Sequence, residues 1–148
     1  MISKIPGPKK SAEVIIEQPI NLVWEVVTDS KNFSDIIRGG WYWETFDRET
    51  AQAGASFKKG NLPNPGDEAK QWDYYIVNWN PPYQFSMGSK PDSWDHDFLL
   101  TELDGKTKVR ITRRFNVLGF LPPFQQMVDY AATALERKCM EIANKNTP

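Results

Sequence analysis

The C-terminal stretch constrains this chain more than any other feature. Apolar side chains recur at Phe124, Val128, Ala131, Leu135, Cys139 and Ile142, a spacing of three or four that gathers them on one helix face. Pro122 and Pro123 suit a helix entrance, where a missing N–H costs nothing, and no Gly or Pro follows until Pro148. The pattern predicts one long helix running toward Asn146. Most of what precedes it alternates with the two-residue period of strands. A long helix after many strands must lie across a sheet, and the question is whether the space between them is packed or hollow.

Ser11–Gln18 (SAEVIIEQ) reads as a first strand, ended by Pro19. Ile20, Val23, Trp24 and Val27 then recur at helical spacing, with Asn21 near the cap. Asp29-Ser30 restarts a second short helix that carries Phe33, Ile36 and Ile37 inward, and Gly39-Gly40 breaks it. Six segments rich in aromatic or β-branched residues follow: Trp41–Asp47, Ala55–Gly60, Gln71–Asn80, Tyr83–Gly88, Trp94–Leu103 and Lys106–Val117. Ala53-Gly54, Asn64-Pro65-Gly66, Pro81-Pro82 and Asp104-Gly105 supply turns between them. The order β-α-α-β6-α predicts an α+β fold: an antiparallel meander whose edge is joined by the first strand, giving a seven-stranded, twisted and curved sheet wrapped on the terminal helix. With 148 residues, the chain is expected to form a single domain over 1–148, residues 1–10 being a flexible N-terminal segment.

Composition removes several function classes. A net charge of -1 provides no basic field for nucleic acid. One Cys precludes an internal disulfide framework and fits a reducing compartment. No segment approaches the roughly 18 apolar residues of a membrane span, and 1–10 has no apolar leader core, so a soluble cytoplasmic protein without a membrane span is expected. One His and one distant Cys cannot supply a zinc ligand set, so no metal is expected. Neither a G-x-S-x-G elbow nor a Gly-rich phosphate loop occurs, and no cofactor is expected. Cys139 falls at an apolar helix position and reads as inert packing. The Asn61–Lys70 run, with Pro63, Pro65 and Gly66, is a hairpin-end loop: either a lid over a cavity mouth or a solvated turn.

Three ordered motifs carry a resemblance. SAEVIIEQPINLVWEVVTDSKNF, YYIVNWNPPYQFSM and LLTELDGKTKVRITRRF follow one another and end in the long helix. Together they resemble the START-like superfamily, also called SRPBCC or Bet v 1-like, and are nearest its polyketide cyclase/dehydrase and lipid-transport group. The resemblance covers nearly the whole chain and implies the helix-grip arrangement of sheet and helix. It implies little about chemistry, because one fold hosts many functions.

Strand alternation selects the residues that face the helix. In the last strand the inner set is Val109, Ile111, Arg113 and Phe115. In the strand before it the inner set is Trp94, His96, Phe98 and Leu100, with Asp95 and Asp97 pointing away from the histidine. Trp72, Tyr74 and Ile76 face inward on an earlier strand, with Phe85 and Met87 next door and Phe57 beyond. From the terminal segment, Phe120, Phe124, Met127 and Ala131 complete a candidate ligand-binding surface, and the small Ala131, Ala132 and Ala134 suggest room beneath the helix. Arg113 on an apolar face marks either a cavity admitting a polar head or a side chain snorkelling from a strand end. His96 is either a satisfied core histidine or a hydrogen-bond partner and general base.

Three function classes follow. The leading one is binding, with possible transport or sequestration, of a small hydrophobic or amphipathic ligand whose polar head meets Arg113 and His96. The resemblance implies a second, a cyclase or aromatase using His96, Tyr74 and Arg113 in the same cavity. A third is a protein-interaction or chaperone-cofactor module, which needs an exposed apolar patch. The expected assembly is a monomer or weak homodimer.

Overall fold

Pro19 sets the first corner of the fold. The computed structural model describes residues 9–37, 41–61, 71–115 and 124–145. Strand β1 spans Lys9–Ile16, so Lys9 and Lys10, expected to be flexible, are paired with Arg114 and Arg113. Helix α1 spans Ile20–Thr28. Its N-terminal N–H groups are met by the Pro19 carbonyl, which accepts from Leu22 and Val23 at 3.1 and 3.2 Å. Pro19 is the cap residue; Asn21, expected near the cap, lies two residues on in the first turn, and no side chain caps the helix. A 3-10 turn, Ser30–Asn32, follows, with the Asp29 carboxylate accepting from the Lys31 N–H at 3.1 Å. It runs into α2, Phe33–Ile36.

Strand β2 covers only Trp41–Trp43, shorter than expected; past it a single bond from the Glu44 N–H to the Lys58 carbonyl continues the ladder. The remaining strands are β3 (Ser56–Asn61), β4 (Gln71–Asn80), β5 (Gln84–Gly88), β6 (His96–Leu103) and β7 (Lys106–Arg114). They form one antiparallel sheet in the order β1-β7-β6-β5-β4-β3-β2; β2 is a three-residue edge and the other strands run five residues or longer. At the β6–β7 turn Asp104 and Gly105 have φ of 51° and 85°, the left-handed pair a two-residue hairpin needs. Helix α3 spans Phe124–Lys145. The Gly39-Gly40 break, most of the Asn61–Lys70 loop, Phe120 and the Pro122-Pro123 entrance lie outside the described residues.

One sheet face packs on the helices. α3 rests mainly on β1 and β7, burying Val128, Ala131, Ala132, Ala134, Leu135 and Cys139. Small side chains at these alanines let α3 approach the sheet, and among the described residues the space between α3, β6 and β7 is about 10 Å³. The sheet's far half is filled from α2 by Phe33, whose ring lies 5.4 Å from Trp43, 5.9 Å from Phe85 and 6.1 Å from Phe46. A bulge between Ile76 and Asn78 resets the alternation of β4, so Trp79 reaches the inner side against Phe85 (5.7 Å) and Trp24 (5.1 Å). On the outer face Asp97 is covered as well, accepting from Ser86 Oγ and from Gln84 Nε2 at 3.0 Å. The interior is thus packed, and fully burying one of its large apolar side chains contributes about 1.5–3 kcal/mol.

Candidate functional site

Ionisable side chains enter this aromatic interior from the middle of the sheet. Met87, His96 and Arg113 stand side by side on β5, β6 and β7. His96 is buried, its ring 6.2 Å from Trp43 and 6.5 Å from Tyr74. Burial first, then the charges of Arg113 and Lys59, hold its pKa well below the usual imidazole range, so the ring is neutral at pH 7. Half-buried Arg113 lays its guanidinium 4.9 Å from the centre of Phe115, which stacks on Phe124 at 4.1 Å.

Beside them lies a residue that the sequence reading passed over. Lys59 on β3 is only 6 % exposed. Its neighbours across the sheet are Trp43 and Trp72. Its ammonium sits 4.3 Å from the ring centre of Trp41 and 4.5 Å from those of Trp43 and Tyr74. Among the described residues these cation–π contacts are its only close partners. Burial lowers its pKa to about 8; Asp95 pulls the other way and Arg113 adds to the lowering. The Tyr74 hydroxyl donates to Asp95 Oδ2 at 3.0 Å, and burial, then Asp95, push the phenol's pKa well above its ordinary value. The Trp41 and Trp43 indole N–H groups are buried with no acceptor among the described residues.

Two alternation expectations fail here for one reason. Regular pairing of β6 begins at His96, so the two-residue period does not extend back to Trp94 and Asp95. Trp94 therefore lies with Lys9 and Arg114, 5.4 and 5.1 Å from its ring, away from the inner set. Asp95, expected to point away, reaches Tyr74 and the Ser89 N–H (3.3 Å).

Between β6, β7 and α3 a cavity of about 10 Å³ is lined by Ile37, His96, Phe98, Ile111, Arg113, Met127, Val128 and Ala131. That is room for about one water molecule. Six of the expected ligand-binding residues, His96, Phe98, Ile111, Arg113, Met127 and Ala131, line it. Phe57, Tyr74, Ile76, Phe85 and Met87 are buried in the surrounding core, and Trp72 packs edge-on against Trp41 at 5.9 Å. Phe120 lies outside the described residues. A larger groove of about 600 Å³, open to solvent, lies elsewhere, lined by Trp24, Trp79, Arg48 and several carboxylates. It holds none of the expected site residues. No group of His, Cys, Asp and Glu among the described residues could hold a metal ion. No described helix is long and apolar enough to cross a membrane.

Neither a protein-family model nor a curated protein sequence matches the chain. Solved structures do. The chain is similar to an AHSA1-like protein from Aeromonas hydrophila (19% identity, 93% of this chain and 94% of that one, TM-score 0.58). It is also similar to TTHA0849 from Thermus thermophilus (13%, 91% and 99%, TM-score 0.59). A third is the KanY protein (11%, 92% and 99%, TM-score 0.61). At such identities the likeness bears on the fold alone.

Proposed function

From the START-like (SRPBCC) fold of this chain as premise, we propose that it binds a small amphipathic molecule with an acidic head between the sheet and α3. Charge carries the reading. Lys59 and Arg113 bring two cations to an aromatic interior, with Asp95 close enough to act on both. Desolvated cations are costly. An anionic head beside them lowers that cost, while the apolar body packs on Phe98, Ile111 and Val128. A guest larger than a water enters by displacing side chains, and the unbranched Met127 is the most adaptable of the lining.

The test pairs dodecanoate with dodecanol, binding being followed by tryptophan fluorescence in wild type and Arg113→Ala. A charge-assisted contact is worth about 1.5–3 kcal/mol, so the variant should weaken dodecanoate by roughly tenfold or more and leave dodecanol nearly unchanged. Equal losses, or none, remove Arg113 from head-group recognition. Native mass spectrometry of freshly purified protein, followed by solvent extraction, identifies a resident guest.

A further inference from the structure

Lys59 demands an account that packing does not give. Lys58, its neighbour, is exposed and paired with Asp73 at 2.6 Å, the ordinary fate of a strand lysine. Lys59 shares the inner face with Phe57 and ends inside a box of three rings. Cation–π attraction explains why the box tolerates an ammonium. It does not explain why two indole N–H groups of the same box, on Trp41 and Trp43, are buried without acceptors, since buried donors are nearly always satisfied. An amine with unsatisfied hydrogen-bond donors around it is complementary to one common functional group. A carbonyl offers an electrophilic carbon to the nitrogen and an acceptor oxygen to the indoles.

We infer that Lys59 is a carbonyl-reactive amine, and that the site takes aldehydes or ketones by reversible imine formation. The inference rests on the reading that this interior admits a small molecule, and adds the class of guest. The chemistry balances without a further reactant. Neutral Nζ attacks the carbonyl carbon, the C–N bond forms, and the C=O π pair moves to oxygen, which takes a proton. Nitrogen gives up one of its two protons to complete the carbinolamine; a second proton delivered to the hydroxyl lets that oxygen leave as water, and nitrogen's remaining proton then departs, leaving the C=N bond. Tyr74, whose ring lies 4.5 Å from Nζ and whose hydroxyl is held protonated beside Asp95, supplies the hydroxyl that passes protons in these steps. The lysine is equipped for the first step: with a pKa of about 8, roughly a tenth of it is neutral at pH 7, about 300-fold more than an ordinary lysine. A ring nitrogen of His96 carries at most one hydrogen and Arg113 is charged at that pH, so neither forms an imine in its place.

Reductive trapping tests this. The full chain is incubated at pH 7 with 4-formylbenzoate and sodium cyanoborohydride, and adducts are located by intact mass and peptide mapping. Labelling of Lys59 at least roughly tenfold faster than that of Lys58, lost in Lys59→Arg, supports the assignment. The wild-type map decides the matter even if the variant misfolds. Binding of 4-methylbenzoate, which has no carbonyl to react, is measured alongside. If it binds while adducts spread over surface lysines or avoid Lys59, imine formation is refuted and ligand binding stands. If neither binding nor a Lys59 adduct occurs, both readings fail for this class of guest.

Discussion

Lys59→Met removes a buried charge and keeps most of the stem's volume. Burial draws the amine's pKa from 10.5 to about 8. A lowered amine pKa means the folded chain holds that proton less tightly than the unfolded chain. The penalty is therefore complete below pH 8 and is relieved as pH climbs from 8 to 10.5. Roughly two and a half pH units at about 1.4 kcal/mol each set it near ~3 kcal/mol at pH 7, falling below about 1 kcal/mol at pH 10. The side chain is 6 % exposed, so solvent screening takes little from this figure. The three ring contacts oppose it, which makes about 3 kcal/mol a ceiling for the gain in Lys59→Met at pH 7. Urea titrations of both proteins at pH 7, 8.5 and 10 read the difference in unfolding free energy. Cys139, whose thiol burial pushes up to about 12, and Tyr74 destabilise both proteins as pH rises, and they cancel in that difference. The variant's advantage should shrink by about 2 kcal/mol between pH 7 and 10. A difference independent of pH refutes the lowered pKa, and with it the reserve of neutral amine on which imine chemistry depends.

Other perturbations probe the neighbours. His96 stays neutral in the fold while the unfolded ring gains a proton below about pH 6.5, so wild type should lose stability from this group as pH falls from 7 to 5. His96→Phe should abolish that share of the acid sensitivity; a constant gap between the two proteins from pH 7 to 5 contradicts it. Tyr74→Phe removes the donor to Asp95 and should cost about 1.5–3 kcal/mol, and little more once Asp95→Ala has removed the acceptor, as a double-mutant cycle of denaturation curves would read. Gly88→Ala places a methyl 2.1 Å from the Ser93 carbonyl oxygen and 2.8 Å from Trp94 Cα, both backbone atoms. It should cost more than about 2 kcal/mol and lower Tm by roughly 5 °C or more, whereas a near-neutral melt would mean the 93–95 segment moves freely.

What the sequence made legible followed from period. Val109, Ile111 and Phe115 on one strand, His96, Phe98 and Leu100 on the next, and Phe85 and Met87 beyond them are buried as alternation requires. The C-terminal helix is a local-pattern result of the same kind, whereas the expectation that the first strand joins an edge left open which edge, and it is β7. Period failed where pairing starts, at Trp94 and Asp95 ahead of β6. Lys59 was hidden for another reason. Its place two residues from Phe57 marked it as inward, but a lysine ordinarily sits in water. The rings that make its burial tolerable come from β2 and β4, and nothing in the local sequence couples them. The alanines of α3 misled because a small residue can signal either a gap or a close approach, and only packing decides which.

The pairing of β1 with β7 bears on how the protein is made. Ile16 meets Thr107, and α3, later still, settles on β1. The strand synthesised first thus waits for about 90 further residues before its partner exists, on the order of 5–20 s at typical rates of translation. Throughout that interval Val14 and Ile16 remain uncovered beside a hydrogen-bonding edge with nothing to pair with. The β2–β6 meander can form as it emerges, because each of its strands pairs with the next in sequence. Completing the sheet is a late, long-range event. A nascent chain stalled before Lys106 would carry the Lys59 box nearly whole and still lack the wall on which Arg113 stands.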